Sequence, residues 1–243
     1  MKIATWNVNM GAALPWYDKK ELKKEVVDII IKVDADIFII NEIALATGWD
    51  YFEEKIKEKN YVWFSSFVSG KNGLLVLIKE ELIGNTKKLA ESLWWHNALY
   101  SNNNLGLIKV SFELKSGKTC SVCGFRMLIG DKKGKAAYDH MRFILDDQVL
   151  PIATECFTNN DVVIFAGDFN NASYRDDYTG KDHINYNWQI IKSGFEGIGY
   201  EMLDVNSENG PIITKKDCTS GTPIDHIFAK GLHKISINPG KKP

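Results

Sequence analysis

Apolar runs of strand length, separated by segments with helical spacing, set the main limit on what this chain can fold into. The runs are "KIATWNV" (2–8), "ADIFIINE" (35–42), "YVWFSSFV" (61–68), "GLLVLIKE" (73–80), "GLIKVSFEL" (106–114), "TCSVCGFRML" (119–128), "DVVIFAGD" (161–168) and "IDHIFAK" (224–230). Each suits a β-strand and falls well short of the roughly 20 apolar residues that cross a bilayer. Residues 106–128 read as a hairpin: Ile108, Val110, Phe112 and Leu114 alternate with Lys109, Ser111 and Glu113, and "KSGK" supplies the turn. Residues 18–34 place Leu22, Val26, Ile29, Ile30 and Val33 on one helical face, with Asp18 as N-cap. Residues 138–157 repeat that spacing with Tyr138, Met141, Leu145 and Ile152, and Pro151 is expected to kink or break the helix. Residues 187–195 form a third helix through Trp188, Ile191 and Phe195. The pattern is a mixed α/β chain forming a single domain over residues 1–243, with a long polar loop at 171–186.

The formal net charge of -1 excludes a protein that grips nucleic acid by global basicity, although a local basic groove remains compatible with it. The opening "MKIATWNVNMG" has neither an h-region nor a small-residue cleavage site, so it reads as a first core strand rather than a signal peptide. Cys120 and Cys123 have C-x-x-C spacing, yet they lie in a strand, where an odd separation sends side chains to opposite faces. They are therefore expected to be core thiols in a reducing, cytoplasmic setting.

Three of the apolar runs end alike. "IATW" is followed by Asn7 and Asn9, "DIFII" by Asn41 and Glu42, and "VVIFA" by Gly167, Asp168 and Asn170. Helix caps and turns explain any one of these, because Asn and Asp favour such positions. Strand ends of α/β sheets are also where ligand crevices form. Carboxylate and amide oxygens without a soft ligand suit a hard cation, Mg²⁺ or Mn²⁺, and a hard cation beside amide donors equips a site for phosphoryl chemistry.

"TWNVNMG", "IINEIAL", "VIFAGDFN" and "PIDHIFAKGL", in this order, resemble the endonuclease/exonuclease/phosphatase superfamily over residues 2 to about 230. That superfamily includes apurinic DNA-repair endonucleases, DNase I-type nucleases, inositol polyphosphate phosphatases and sphingomyelinases. The resemblance implies a DNase I-like four-layer α/β-sandwich, with two mixed sheets face to face and helices outside. It also implies roles. Asp168 would orient or deprotonate the attacking water, and Asn170 would hold phosphate or nucleophile. Asn7 would contact phosphate and support the metal, Glu42 would be the principal metal ligand, and Asp225 would orient a histidine.

Three departures from the pattern matter. The Ser-Asp-His block expected beyond the "IDHIF" strand is not found before "HKISINPGKKP", so that strand is expected to be missing, with the sheet edge beside Asp225 uncovered. Arg126 stands where many members have a histidine, and it can donate to phosphate in bidentate fashion. Asn9 stands where repair nucleases have Asp. His183, in the long loop, is placed to reach over substrate. His226 is a further candidate substrate contact, although strand alternation turns it away from Asp225. The paired Trp94 and Trp95 are read either as base-stacking residues or as a lid over the core.

The expected activity is Mg²⁺-dependent hydrolysis of phosphate esters by an activated water, in a nuclease-like phosphodiesterase acting on nucleic acid. A phosphomonoesterase or lipid phosphodiesterase, acting on a phosphorylated small molecule or lipid head group, remains an alternative. So does a catalytically impaired binding module or a truncated gene product.

Overall fold

The computed structural model describes residues 1–8, 21–43, 45–66, 73–85, 90–96, 105–127, 142–169, 182–203 and 225–232. Four strands, β1 (Ile3–Asn7), β2 (Ile37–Ile43), β3 (Tyr61–Ser65) and β4 (Gly73–Lys79), form one sheet in the order β1-β2-β4-β3. Six more, β5 (Ala90–His96), β6 (Leu105–Glu113), β7 (Thr119–Arg126), β8 (Val162–Asp168), β9 (Glu201–Leu203) and β10 (Asp225–Lys230), form the second in the order β5-β6-β7-β8-β10-β9. Both sheets are mixed: β1 runs parallel to β2 and β7 parallel to β8, while the remaining pairs are antiparallel.

Alternation along the strands builds the layers. Ile37 and Ile39 of β2, Leu74, Val76 and Ile78 of β4, Val122 of β7 and Ile164 and Ala166 of β8 meet in the core between the sheets. Their neighbours Phe38, Ile40, Leu75 and Leu77 face outward onto α1 (Lys24–Val33) and α2 (Trp49–Glu58). On the far side, Phe125, Val163, Phe165 and Phe228 face α3 (Leu150–Asn159) and α4 (Asp182–Ile198). The result is a four-layer α/β-sandwich, as the resemblance implies. It explains why β2 and β8 read as unbroken apolar runs, since every residue of both is buried. Among the described residues no helix is long and apolar enough to cross a membrane.

Several local expectations give way to tertiary context. Helix α1 starts at Lys24 with Lys23 as an N-cap that makes no side-chain capping bond, so Asp18 is not its cap and lies outside the described residues. Its buried face is Val26, Val27 and Ile30, and Leu22 is buried ahead of the helix. Helix α2 has the i, i+3, i+7 spacing of an amphipathic helix in Trp49, Phe52 and Ile56, with a largely charged opposite face. It is held by Trp49, Phe52 and Ile56. Pro151 does not break the helix: helical backbone runs from residue 142 to 159, and a π-helical turn at Leu145–Val149 lies directly ahead of the proline. Trp94 and Trp95 lie within β5, paired to β6, rather than in a connection. The strand carrying Asp225 does not lack a neighbour, because β9 pairs with Ile227, Phe228 and Ala229 on its outer side. The hairpin is as expected, with β6 and β7 antiparallel around a turn at Ser116 and Gly117.

Cys120 and Cys123 fall on opposite faces of β7, the first in the inter-sheet core and the second in the helix-side core. Burial pushes the Cys120 thiol up to about 12, which fits an inert core residue. Cys123 instead meets Cys156 of α3, with the two sulfurs 3.7 Å apart.

Candidate active site

The C-terminal ends of β1, β2, β7 and β8 converge at one end of the sandwich, and β10 starts there. The parallel pairings make this happen, because β1 and β2 end level with each other, as do β7 and β8. Each strand then delivers one polar side chain: Asn7 from β1, Glu42 from β2, Arg126 from β7, Asp168 from β8 and Asp225 from β10. Arg126, Asp168 and Asp225 stand abreast in register across three neighbouring strands.

Asn7 links the two sheets. Its amide nitrogen donates to Asp168 Oδ2 at 2.7 Å and to Glu42 Oε1 at 3.2 Å. Glu42 reaches this position through a bulge: the β2–β4 register shifts between Asn41 and Ile43, and Glu42 adopts a left-handed φ of 58°. A bulge of this kind re-aims a side chain and carries strain that the surrounding structure must hold. The same Glu42 oxygen lies 2.5 Å from Arg126 Nη2. Arg126 is the most solvent-accessible member of this charged pair, its side chain 28% exposed against 8% for Glu42.

The backbone beneath Asp168 is equally constrained. Gly167 has φ 149°, and a Cβ there would lie 1.8 Å from the Phe125 carbonyl oxygen, so β7 and β8 approach too closely for any side chain. The fully buried Asn41 carboxamide reaches from the opposite sheet into this junction. With its amide oriented so that both ends are satisfied, it donates to the Phe125 carbonyl at 3.1 Å and accepts from the Asp168 N–H at 3.2 Å. Asn41 therefore braces the backbone that carries Asp168. Its place at a strand end assigns it no role, and only the crossing contact reveals one.

Asp225 is the anomaly. Its carboxyl group is buried, and among the described residues neither oxygen has a hydrogen-bond partner. Burial, then the nearby Asp168 and Glu42 carboxylates, push it well above the usual carboxylate range. Directly opposed like charges on neighbouring strands act in the same direction.

Among the described residues no group of three or more His, Cys, Asp and Glu side chains is placed to hold a metal ion. A hexahydrate-forming cation such as Mg²⁺ asks less of a protein, since it keeps several waters and uses one or two carboxylates. Glu42 and Asp168, both hydrogen-bonded by Asn7, meet that smaller demand with hard oxygen donors.

The other candidates fare differently. His226 was a candidate substrate contact, but alternation turns it to the helix side, where it is 6% exposed and stacks on Trp188 at 3.9 Å. It also meets Phe169 edge-on at 5.7 Å. His183 belongs to the first turn of α4, which begins at Asp182, rather than to a loop running to residue 186. Asn9 and Asn170 lie outside the described residues.

The chain matches the Endonuclease/Exonuclease/phosphatase family over residues 4–239. Among curated proteins none matches it in sequence. Its fold is similar to that of the human Nocturnin catalytic domain with bound sulfate, at TM-score 0.62 and 14% identity, covering 95% of this chain and 82% of that one. An AP endonuclease from Archaeoglobus fulgidus gives TM-score 0.62 and 17% identity, with 95% and 86% covered. A 3′ phosphatase from Neisseria, bound to a product DNA hairpin, gives 0.60 and 18%, with the same coverage.

Proposed function

The chain belongs to the Endonuclease/Exonuclease/phosphatase family, and on that footing we propose that it is a Mg²⁺- or Mn²⁺-dependent phosphodiesterase of nuclease-like type. The observation that carries this reading is the Asn7 amide, which holds carboxylates from two different sheets on one donor. A carboxylate fixed in this way is preorganised to take a proton without first reorienting. Asp168 is the base that orients and deprotonates the attacking water, with Asn170 holding the nucleophile or phosphate beside it. Glu42 is the principal metal ligand, supported by Asn7. A bound metal would offset phosphate charge as the pentacoordinate state develops. Arg126, at the open side of the cluster, donates to the phosphate oxygens.

Nucleic acid is the proposed substrate class. Among the similar folds, the Neisseria 3′ phosphatase is bound to a DNA hairpin. The three described free cysteines, all buried, are compatible with a reducing cytoplasm. A second reading, a slow hydrolase, rests on Asp225, whose buried carboxyl group has no hydrogen-bond partner among the described residues.

The test is a panel with Mg²⁺: plasmid DNA, RNA, bis(p-nitrophenyl) phosphate and the corresponding monoester, each repeated with EDTA. EDTA-sensitive cleavage of diesters is the expected result. Preference for the monoester moves the chain to the phosphatase reading, and metal-independent or absent hydrolysis of every substrate overturns the proposal. In parallel, Mg²⁺ should raise the melting temperature by mass action, and Glu42→Gln should remove most of that shift.

A further inference from the structure

Glu42 already has a cation. The Arg126 guanidinium meets Glu42 Oε1 at 2.5 Å, on the same oxygen that accepts the Asn7 amide at 3.2 Å. The Arg126 Nε, by contrast, is buried and has no hydrogen-bond partner among the described residues. The guanidinium therefore makes its contact through one edge and leaves part of its donor fork unused, although Arg is suited to bidentate pairing. A guanidinium so held satisfies Glu42 well and itself poorly. It is also the more exposed partner of the pair, with 28% of its side chain accessible against 8% for Glu42.

We propose that Arg126 and the divalent metal compete for Glu42, so that metal binding releases the guanidinium to the substrate phosphate. This rests on the metal reading given above. The physical basis is charge. A fixed positive group beside the ligand carboxylate opposes an incoming divalent cation, and in a partly buried setting that opposition is only weakly screened. Once displaced, the same group contributes a charge-assisted donor to phosphate. Arg126 thus lowers metal affinity in the resting protein and raises turnover in the loaded one. Metal and phosphate ester bind with positive coupling as a result, because each disfavours the Arg126–Glu42 pair.

The experiment is calorimetric titration of Mn²⁺ into the 243-residue chain, into Arg126→Gln and into Arg126→Lys, with turnover measured on bis(p-nitrophenyl) phosphate. Arg126→Gln is expected to bind Mn²⁺ about tenfold more tightly while turning over more slowly. Arg126→Lys keeps the charge and is expected to stay within about threefold of wild type in Mn²⁺ affinity. A purely structural Arg126 would weaken both quantities together, and a purely phosphate-binding one would leave metal affinity unchanged. Either result overturns the proposal, as does equal tightening in the Lys and Gln variants. Absence of Mn²⁺ binding in wild type and Arg126→Gln alike overturns the metal reading, and this inference with it. Should Arg126→Gln fail to fold by circular dichroism, the wild-type chain answers alone. Its Arg126 Nε–Hε resonance must move as Mg²⁺ saturates, and a stationary resonance overturns the proposal.

Discussion

The two faces of β7, β8 and β10 carry opposite chemistries one residue apart. On the inner face Arg126, Asp168 and Asp225 stand abreast, and they meet Asn7 and Glu42 from the other sheet. On the outer face Phe125, Phe169, His226 and Phe228 pack under α4 with Trp188 and Phe195. Phe169 lies at the centre of that aromatic group, edge-on to Phe125 at 5.3 Å and to Phe228 at 5.5 Å. Such contacts add to area burial and lock ring positions. The inner face does the reverse, gathering the Glu42, Asp168 and Asp225 carboxyl groups, with Glu42 against the Arg126 guanidinium, and Asp225 has no hydrogen-bond partner among the described residues. The difference teaches how this chain holds a costly site. The outer aromatic layer supplies stability at the very residues whose neighbours spend it.

That division predicts separable losses. Phe169→Ala should have the largest effect, destabilising by about 3–5 kcal/mol, as for other buried Phe truncations. Denaturant titration measures it. A loss under about 1 kcal/mol would mean the outer face is not the support described, since surface substitutions commonly fall in that range.

Asp168→Asn, one residue earlier, should invert the pattern. Turnover should fall by roughly 10²-fold or more, the scale of a lost acid/base group, while the melting temperature stays near wild type. The change is isosteric and leaves the backbone bonds from Asp168 N–H to Asn41 and from Met127 N–H to Asp168 O in place. A folded variant with full turnover would remove Asp168 from the chemistry. A variant that unfolds would return it to a capping role.

The smallest effect belongs to Asp225→Asn, and it should be stabilising. The folded state holds the Asp225 proton well above the unfolded value of 3.8, so ionisation is penalised only in the native protein. That penalty is absent below the unfolded value, grows as pH rises from there toward the raised native value, and is constant above it. Replacing the carboxyl by an amide removes the penalty. Without metal the variant should melt about 2–4 °C higher than wild type at neutral pH, on the scale of 1 kcal/mol in a chain of this size. The gap should close near pH 4, and thermal melts across pH measure it. A gap that is constant with pH would mean Asp225 does not titrate there, and the inner face would then be less strained than the comparison holds.

Much of the architecture was legible because alternation and strand length are local properties. "VVIFAGDFN" shows the point: Ile164 and Ala166 face the other sheet, Val163 and Phe165 face the helices, and Asp168 inherits the inner face by parity. Parity likewise placed His226 opposite Asp225, and there it stacks on Trp188. Helix α2 is written locally too, in Trp49, Phe52 and Ile56 at i, i+3 and i+7 among charged neighbours, although three apolar positions make a short signal. The start of α1 departs from the helical spacing because Leu22 is buried before the helix begins at Lys24.

By itself, then, the sequence determined which residues could share a face and which strand ends would be polar. Period-two alternation and motif order are written along the chain and need no partner to be read. The tertiary structure alone decided which polar residues act on one another. Asn7 and Asp168 are far apart in sequence yet 2.7 Å apart in space, and Asn41 reaches across the sandwich to the backbone of Asp168. The bulge at Glu42 and the close approach at Gly167 turn those residues toward a common centre. No local pattern encodes such meetings, because they arise only when two sheets pack face to face and bring unrelated strand ends into hydrogen-bond range.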